Sequence, residues 1–474
     1  MINRYFIEKI NENFIFDFTA DQRSAIAKIV DFLYARSNNQ VFLLKGYAGT
    51  GKSSLIGSLV KTMSQFNQKT VLLAPTGRAA KVFSAYAGQP AFTIHKKIYR
   101  MDRFTEGPGN FSLAENKHSH TLFLVDEASM ISNDNSEFSV FGSGRLLDDL
   151  MEYVYSGEGN RLLLIGDTAQ LPPVQQEFSP ALDEKTIESF FFEAVTCTLT
   201  QIVRQSEKSG ILVNATLLRN ALQNGNTDDF PKLNVTAFDD VKRITGTELI
   251  DEISSAYNRD GTEETIVISR SNKRVNAYNM GIRNTVLYRE EELSTGDLLM
   301  ITKNNYHWAD GIENVEFLAN GEFVEVVRVR RQETMYGFRF CNVLLRHKDY
   351  GVEFEAKINL DSLHTEVPGL TREQNEQLFV AVMEDYADIS RKSARYKKVK
   401  ENPYFNALLV KYGYAVTCHK AQGGEWKNVF LDLGYVNKSY MGDNFYRWLY
   451  TSITRSSQML YLVNLPNDFI EQNK

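Results

Sequence analysis

Gly46-Tyr47-Ala48-Gly49-Thr50-Gly51-Lys52-Ser53 ends a glycine-rich turn on a lysine and a hydroxyl, the arrangement of a P-loop that cradles phosphate groups. The glycines let the backbone curl until its N–H groups face a β-phosphate at a helix N-terminus. Lys52 would neutralise the β and γ oxygens, and the Ser53 hydroxyl would ligate Mg²⁺. Asp126-Glu127 offers matching chemistry: Asp126 as a partner of the metal, Glu127 to orient and deprotonate an attacking water. Taken alone, that acidic pair also reads as a helix N-cap. Gly166-Asp167-Thr168-Ala169-Gln170-Leu171-Pro172-Pro173-Val174 adds Gln170, whose amide can bond both water and a γ-phosphate. By itself this segment says little, because Gly-Asp and Pro-Pro are common turn formers.

Three apolar runs position these groups. Val41-Phe42-Leu43-Leu44 reads as a buried parallel strand ahead of the loop, with a helical pattern from Ser54 onward. Thr121-Leu122-Phe123-Leu124-Val125 delivers the acidic pair, and Arg161-Leu162-Leu163-Leu164-Ile165 delivers Gly166 and its followers. Strand, phosphate loop, helix, strand, acidic pair, strand, polar turn is the order of a doubly wound parallel α/β sheet with its site at the strands' carboxyl ends. The residues alone therefore imply a domain that hydrolyses ATP or GTP.

Composition sets the frame for the rest. With 474 residues, 43% hydrophobic and 24% charged, the chain is long enough for two to four compact domains. No apolar run approaches the roughly 18 to 20 residues of a membrane span, and Met1 to Phe14 lacks the pattern of a signal peptide, so a cytoplasmic protein without membrane partners is expected. Cys197, Cys341 and Cys418 are too widely spaced for a zinc site and too few for a disulfide framework, which predicts buried free thiols. The net charge of −6 means that any nucleic-acid surface must be a local basic track.

The chain also carries an ordered set of motifs that resembles the superfamily 1 helicases, specifically the 5′-to-3′ branch (superfamily 1B) that includes RecD and Dda. Phe18-Thr19-Ala20-Asp21-Gln22 is similar to the family's adenine-reading element, with Gln22 placed for the adenine edge. Ala74-Pro75-Thr76-Gly77-Arg78-Ala79-Ala80-Lys81 and Thr93-Ile94-His95 resemble its first-domain DNA contacts, and Gly166 to Val174 its coupling motif. Leu199 to Gln205 resembles the element that opens the second motor domain, where Arg204 would reach the γ-phosphate. Thr417-Cys418-His419-Lys420-Ala421-Gln422-Gly423-Gly424-Glu425 resembles the motif joining the DNA backbone to the nucleotide, with Glu425 placed for the ribose. Leu449-Tyr450-Thr451-Ser452-Ile453-Thr454-Arg455 resembles the last motif, whose arginine is a second finger.

This resemblance implies two RecA-like domains, 1–195 and 196–290 with 406–474, the second interrupted by an inserted SH3-like barrel and helical region over 291–405. ATP and Mg²⁺ are the implied cofactors, with Gly46, Ala48, Gly49, Thr50 and Gly51 lining the phosphates. Single-stranded and forked DNA are the implied partners of a chain acting as a monomer. Pro75, Thr76, Thr93, His95, Thr417, His419 and Lys420 fit contacts to the strand by motif position. Either histidine alone would more often be structural.

Four stretches remain. Arg100 to Ser112 reads as two short segments meeting at a Gly-Pro-Gly-Asn turn, in the place where the family holds a duplex-splitting pin near 100–117. Phe104 or Phe111 would stack on the terminal base pair, or else an aromatic is tucked under an exposed loop. Leu293 to Leu363 shifts to β-type segments around an Asn320-Gly321-Glu322 turn. Arg391 to Lys411 is rich in lysine and arginine, either a solvated helix face or a basic flank of the strand channel. Ile131 to Glu158 is a long excursion with no assigned role. The rival readings are an NTP-driven switch, a nuclease-associated subunit and an RNA motor; stimulation of turnover by single strands separates the first from a helicase.

Overall fold

The computed structural model describes residues 2–101, 111–134, 141–203, 208–309, 317–367 and 369–471. The chain divides into two compact units, one of Met1–Met101, Phe111–Ile244 and Ala421–Lys474, the other of Thr245–Lys420. The boundaries expected from sequence group the residues differently, since 196–244 and 421–474 fall in the first unit. Among the described residues no helix is long and apolar enough to cross a membrane. The three cysteines are buried, and none of them forms a disulfide.

The first unit is built on a six-stranded parallel sheet. Its strands, with the hairpin between them in sequence, are β1 Gln40–Gly46, β2 Lys69–Ala74, β3 Ala91–Thr93, β4 Tyr99–Met101, β5 Phe111–Leu113, β6 Thr121–Val125, β7 Arg161–Gly166 and β8 Glu193–Leu199. The sheet order is β3-β2-β6-β7-β1-β8, with β1 in the interior between β7 and β8. Strands covered on both faces must be apolar at consecutive positions, which is why β1, β6 and β7 were legible as continuous runs. Phe42, Leu44, Leu124 and Ile165 pack with Leu55, Ile56 and Leu59 of the helix Lys52–Gln65 that follows the phosphate loop. The helix Ala20–Leu33 begins at a capping box formed by Thr19 and Gln22.

β4 and β5 form the expected hairpin, pairing Tyr99 with Leu113, Arg100 with Ser112 and Met101 with Phe111. Its Gly-Pro-Gly-Asn turn and Phe104 lie outside the described residues. In the same unit, Val241–Ile244, Ser456–Val463 and Trp426–Asp432 lie side by side in parallel, in that order.

In the second unit, Thr265–Ser269 pairs in parallel with Ala415–Thr417. A closed barrel is formed by Leu298–Ile301, Phe323–Met335, Phe338–His347, Glu353–Asn359 and Leu408–Tyr412. The last strand lies beyond the 291–405 insertion expected from sequence, because it is recruited by pairing with Leu298–Ile301 and Glu353–Asn359 rather than by local pattern. Gly321 does adopt a left-handed turn (φ +94°), but it leads into one strand. The tight hairpin is made at Tyr336-Gly337 (φ +56° and +78°), between Met335 and Phe338. The basic run forms the helix Lys392–Glu401, which buries Val399 against the cluster of Phe338 and Phe340 and leaves Lys397 and Lys398 exposed. That favours the solvated-face reading.

Candidate active site

The phosphate loop leaves β1 at Gly46 and enters its helix at Gly51. Gly49 and Gly51 are left-handed (φ +75° and +76°), and a Cβ on Gly51 would lie 2.6 Å from Nε2 of Gln22. Thr50 donates its hydroxyl to the Tyr47 carbonyl (2.7 Å), and Lys52 donates its ammonium to the carbonyls of Gly46 and Tyr47. Gln22 is 1% exposed: Oε1 accepts from the Thr19 N–H (3.0 Å) and Nε2 donates to the Thr50 carbonyl (2.9 Å). Its amide braces the loop with one bond from each end, and Oε1 keeps a second lone pair and Nε2 a second hydrogen for the expected adenine edge.

A second strap holds the loop from β8. The Val203 N–H donates to the Gly49 carbonyl (3.0 Å), and the Asp21 carboxylate accepts from the Thr200 N–H, the Thr200 hydroxyl and the Gln201 N–H at 2.7, 2.7 and 3.0 Å. Partial burial works against the charge on Asp21, but these hydrogen bonds outweigh it and hold the carboxyl below its usual range. Arg204, the expected finger one residue further on, lies outside the described residues.

At the end of β6, Asp126 accepts from the Tyr86 hydroxyl at Oδ2 (2.5 Å) and from the Glu127 N–H at Oδ1 (2.8 Å). Burial and the neighbouring charge of Glu127 push Asp126 up to about 6, against the pull of Tyr86 and Lys52. Burial and the Asp126 carboxylate push the Tyr86 hydroxyl well above its usual range, against the pull of the Ser53 side chain, so one tyrosine faces both residues expected to bind metal. Glu127 is left-handed (φ +51°), a costly conformation for a residue with a side chain. Its Oε1 lies 3.6 Å from Nη1 of Arg455.

Gln170 is 7% exposed, and its Oε1 has no hydrogen-bond partner among the described residues. A buried amide oxygen left without a donor costs free energy unless a ligand or water supplies one. The loop carrying it is fastened to the C-terminal segment: Leu171 donates to the Thr451 hydroxyl (2.9 Å), and Gln422 donates to the Leu171 carbonyl (2.8 Å). Tyr450 completes the link, since its hydroxyl accepts from the Ala48 N–H of the phosphate loop (2.9 Å) and donates to Asp167 (2.6 Å). Burial raises the Asp167 carboxyl above its usual range, against the pull of Lys52 and of the Tyr450 hydroxyl.

The structure thus brings together Gly46 to Ser53, Asp126, Glu127, Gln170 and Arg455 in one unit. Glu425 is exposed in the same unit, and its carbonyl accepts from Arg78, whose guanidinium lies 3.9 Å from the Trp426 ring centroid. Tyr86 and Tyr450 were missed from sequence. Tyr450 lay inside a motif already singled out, whereas nothing local marks Tyr86.

The expected strand contacts divide between the units. Pro75 and Thr76 follow β2, and Thr93 ends β3; each threonine caps a helix by accepting from the N–H three residues on, Ala79 and Lys96 respectively, both at 3.2 Å. Those caps use a lone pair and leave the hydroxyl hydrogen to donate. His95 lies in an aromatic cluster, 4.8 Å from Phe141, and burial pushes its imidazole down to about 4, so it is neutral at pH 7. Phe111 is 3% exposed with its ring 4.8 Å from Phe141. The structure therefore corrects the stacking expectation for Phe111: its ring is core. In the second unit, Thr417 closes a strand, His419 is exposed and Lys420 donates to Asn320.

Residues 17–249 match the family model described as an AAA domain, and residues 412–463 match the UvrD-like helicase C-terminal domain. The uncharacterized protein R530 of Acanthamoeba polyphaga mimivirus is 22% identical over 524 residues, covering 94% of this chain and 99% of that protein. The ATP-dependent RecD2 DNA helicase of Deinococcus radiodurans is 24% identical over 92% of this chain, which spans 48% of that protein. The ATP-dependent DNA helicase dda of phage T4 is 24% identical over 88% of this chain and 92% of its own length.

Proposed function

We infer, from the chain's membership of the RecD and Dda branch of superfamily 1 helicases, that it couples ATP hydrolysis to 5′-to-3′ movement on single-stranded DNA and unwinds the duplex ahead. The observation that carries this reading is the direct bonding of the phosphate loop to the last motif, through Tyr450 between Ala48 and Asp167. A pocket that only hydrolysed nucleotide would not need its loop fastened to a segment so distant in sequence. A motor does, because occupancy of the pocket must be felt by the parts that move.

Within the pocket, the loop amides and Lys52 bind the β- and γ-phosphates. Glu127 takes the proton of the attacking water, and the Oε1 of Gln170, without a donor among the described residues, accepts a hydrogen bond from that water. Arg455 and Arg204 stabilise charge developing on the γ-phosphate, a contribution of roughly 10³ to 10⁵ in rate for such fingers. Ser53 and Asp126 are hard oxygen donors joined through Tyr86, a set that fits Mg²⁺. When bound, the ion neutralises phosphate charge. Thr76, Thr93 and His95 from one motor domain and Thr417, His419 and Lys420 from the other hold the strand backbone in turn. His95 acts as a neutral donor. The motor domains are assigned to 1–195 and to 196–290 with 406–474.

Steady-state ATP hydrolysis with and without single-stranded DNA tests the reading. Strong stimulation is expected; turnover indifferent to the strand would leave an ATPase and remove the motor.

A further inference from the structure

We propose that the excursion between the second and third nucleotide motifs is a brace, in which Phe141, Gly142 and Asp149 fix the root of the β4–β5 hairpin to the domain core so that it can bear force. This rests on the reading of that hairpin as the strand-separating pin. A two-stranded ribbon is marginal in water, and among the described residues this one pairs only three residues with three. A wedge pressed against a duplex needs an anchor.

The excursion supplies one. Phe141 bridges in parallel to Phe111, and the Gly142 N–H donates to the Phe111 carbonyl (2.7 Å), adding a third strand-like segment to the ribbon. The Phe141 ring stands 4.8 Å from Phe111, 5.1 Å from Tyr99 and 4.8 Å from His95, so it touches both strands of the hairpin and the helix that precedes it. The Tyr99 hydroxyl donates to Asp149 (2.6 Å), and the Ser143 N–H donates to the same carboxylate oxygen (3.0 Å). Gly142 is left-handed (φ +45°), and a Cβ there would lie 2.2 Å from Asp149 Oδ2 and 2.7 Å from Tyr99, so the approach is too close for any side chain.

Asp149 stands on the helix Leu146–Tyr155, which buries Leu147, Leu150, Met151 and Val154. That helix is tied at its end to β1 by the Tyr155 hydroxyl, which donates to the Gln40 carbonyl (2.7 Å). On its other side, Asn116, three residues past β5, donates to the Tyr153 carbonyl (2.6 Å). The path from hairpin root to the strand that carries the phosphate loop is therefore continuous.

The test compares wild type with Phe141→Ala, and with Asp149→Asn should the first fail to fold. Three readouts are taken on each full-length protein: amide hydrogen exchange over residues 111–114, single-strand-stimulated ATP hydrolysis, and unwinding of a forked duplex. The expected result is exchange at 111–114 faster by about tenfold or more, unwinding slower by about tenfold, and stimulated hydrolysis within about twofold of wild type. Unchanged exchange would overturn the brace whatever the unwinding rate. Faster exchange with hydrolysis falling in step with unwinding would overturn the force-bearing role in favour of general loosening. A wild type that hydrolyses ATP on single strands yet parts no fork would remove the pin reading itself, with the exchange data still deciding the contact.

Discussion

Tyr450→Phe isolates the link between the phosphate loop and the last motif, because it deletes one hydroxyl and leaves the ring volume in place. Two hydrogen bonds are lost, from the Ala48 N–H at 2.9 Å and to Asp167 at 2.6 Å, and Asp167 is 2% exposed. A neutral bond contributes about 0.5 to 1.5 kcal/mol and one to a charged group about 1.5 to 3, so the loss is about 2 to 4 kcal/mol. At roughly 2 to 4 °C per kcal/mol, the melting temperature should drop by roughly 5 to 15 °C. If about half of that loss is felt where Ala48 meets phosphate, kcat for ATP falls about tenfold. The assay is thermal unfolding alongside steady-state hydrolysis at saturating ATP, below the melting range of both proteins. Native melting and native kcat together would refute the coupling role given to Tyr450.

Lys52→Ala should abolish ATP hydrolysis while single-strand binding, read by fluorescence anisotropy, stays near the wild-type level; wild-type turnover would sink the pocket assignment. Phe111→Ala should destabilise the fold by about 3 to 5 kcal/mol through a core cavity, and an unchanged melting temperature would return that ring to solvent. His95 gives a pH signature: folded it titrates at about 4, against 6.5 when unfolded. Between those values the unfolded chain binds more protons, so this stability is complete above about pH 6.5 and is lost as pH falls toward 4. From pH 7 to 5, wild type should lose roughly 2 kcal/mol more than His95→Gln in denaturant titrations, and equal losses would contradict a buried neutral imidazole.

The nucleotide pocket was legible because its strands are buried on both faces and its chemistry sits at fixed offsets from them. β1 with the loop, β6 with Asp126-Glu127 and β7 with Gly166-Asp167 could all be read from runs of a few residues. What escaped depends on distance in sequence. The barrel strand Leu408–Tyr412 is chosen by partners at 299–301 and 358–359, which no local pattern announces. Tyr86 reaches Asp126 from a neighbouring helix, and Tyr450 reaches Ala48 from the far end of the chain. Phe111 looked like a stacking aromatic because the residue that covers it, Phe141, belongs to the excursion for which the sequence suggested no role.

Strand separation on two forks, one with a 5′ tail and one with a 3′ tail, reads the activity and its direction together. With ATP and Mg²⁺ present, unwinding of the 5′-tailed substrate alone is expected. Unwinding from the 3′ tail would contradict the direction, and intact duplex on both substrates in the presence of active ATP hydrolysis would contradict the helicase assignment.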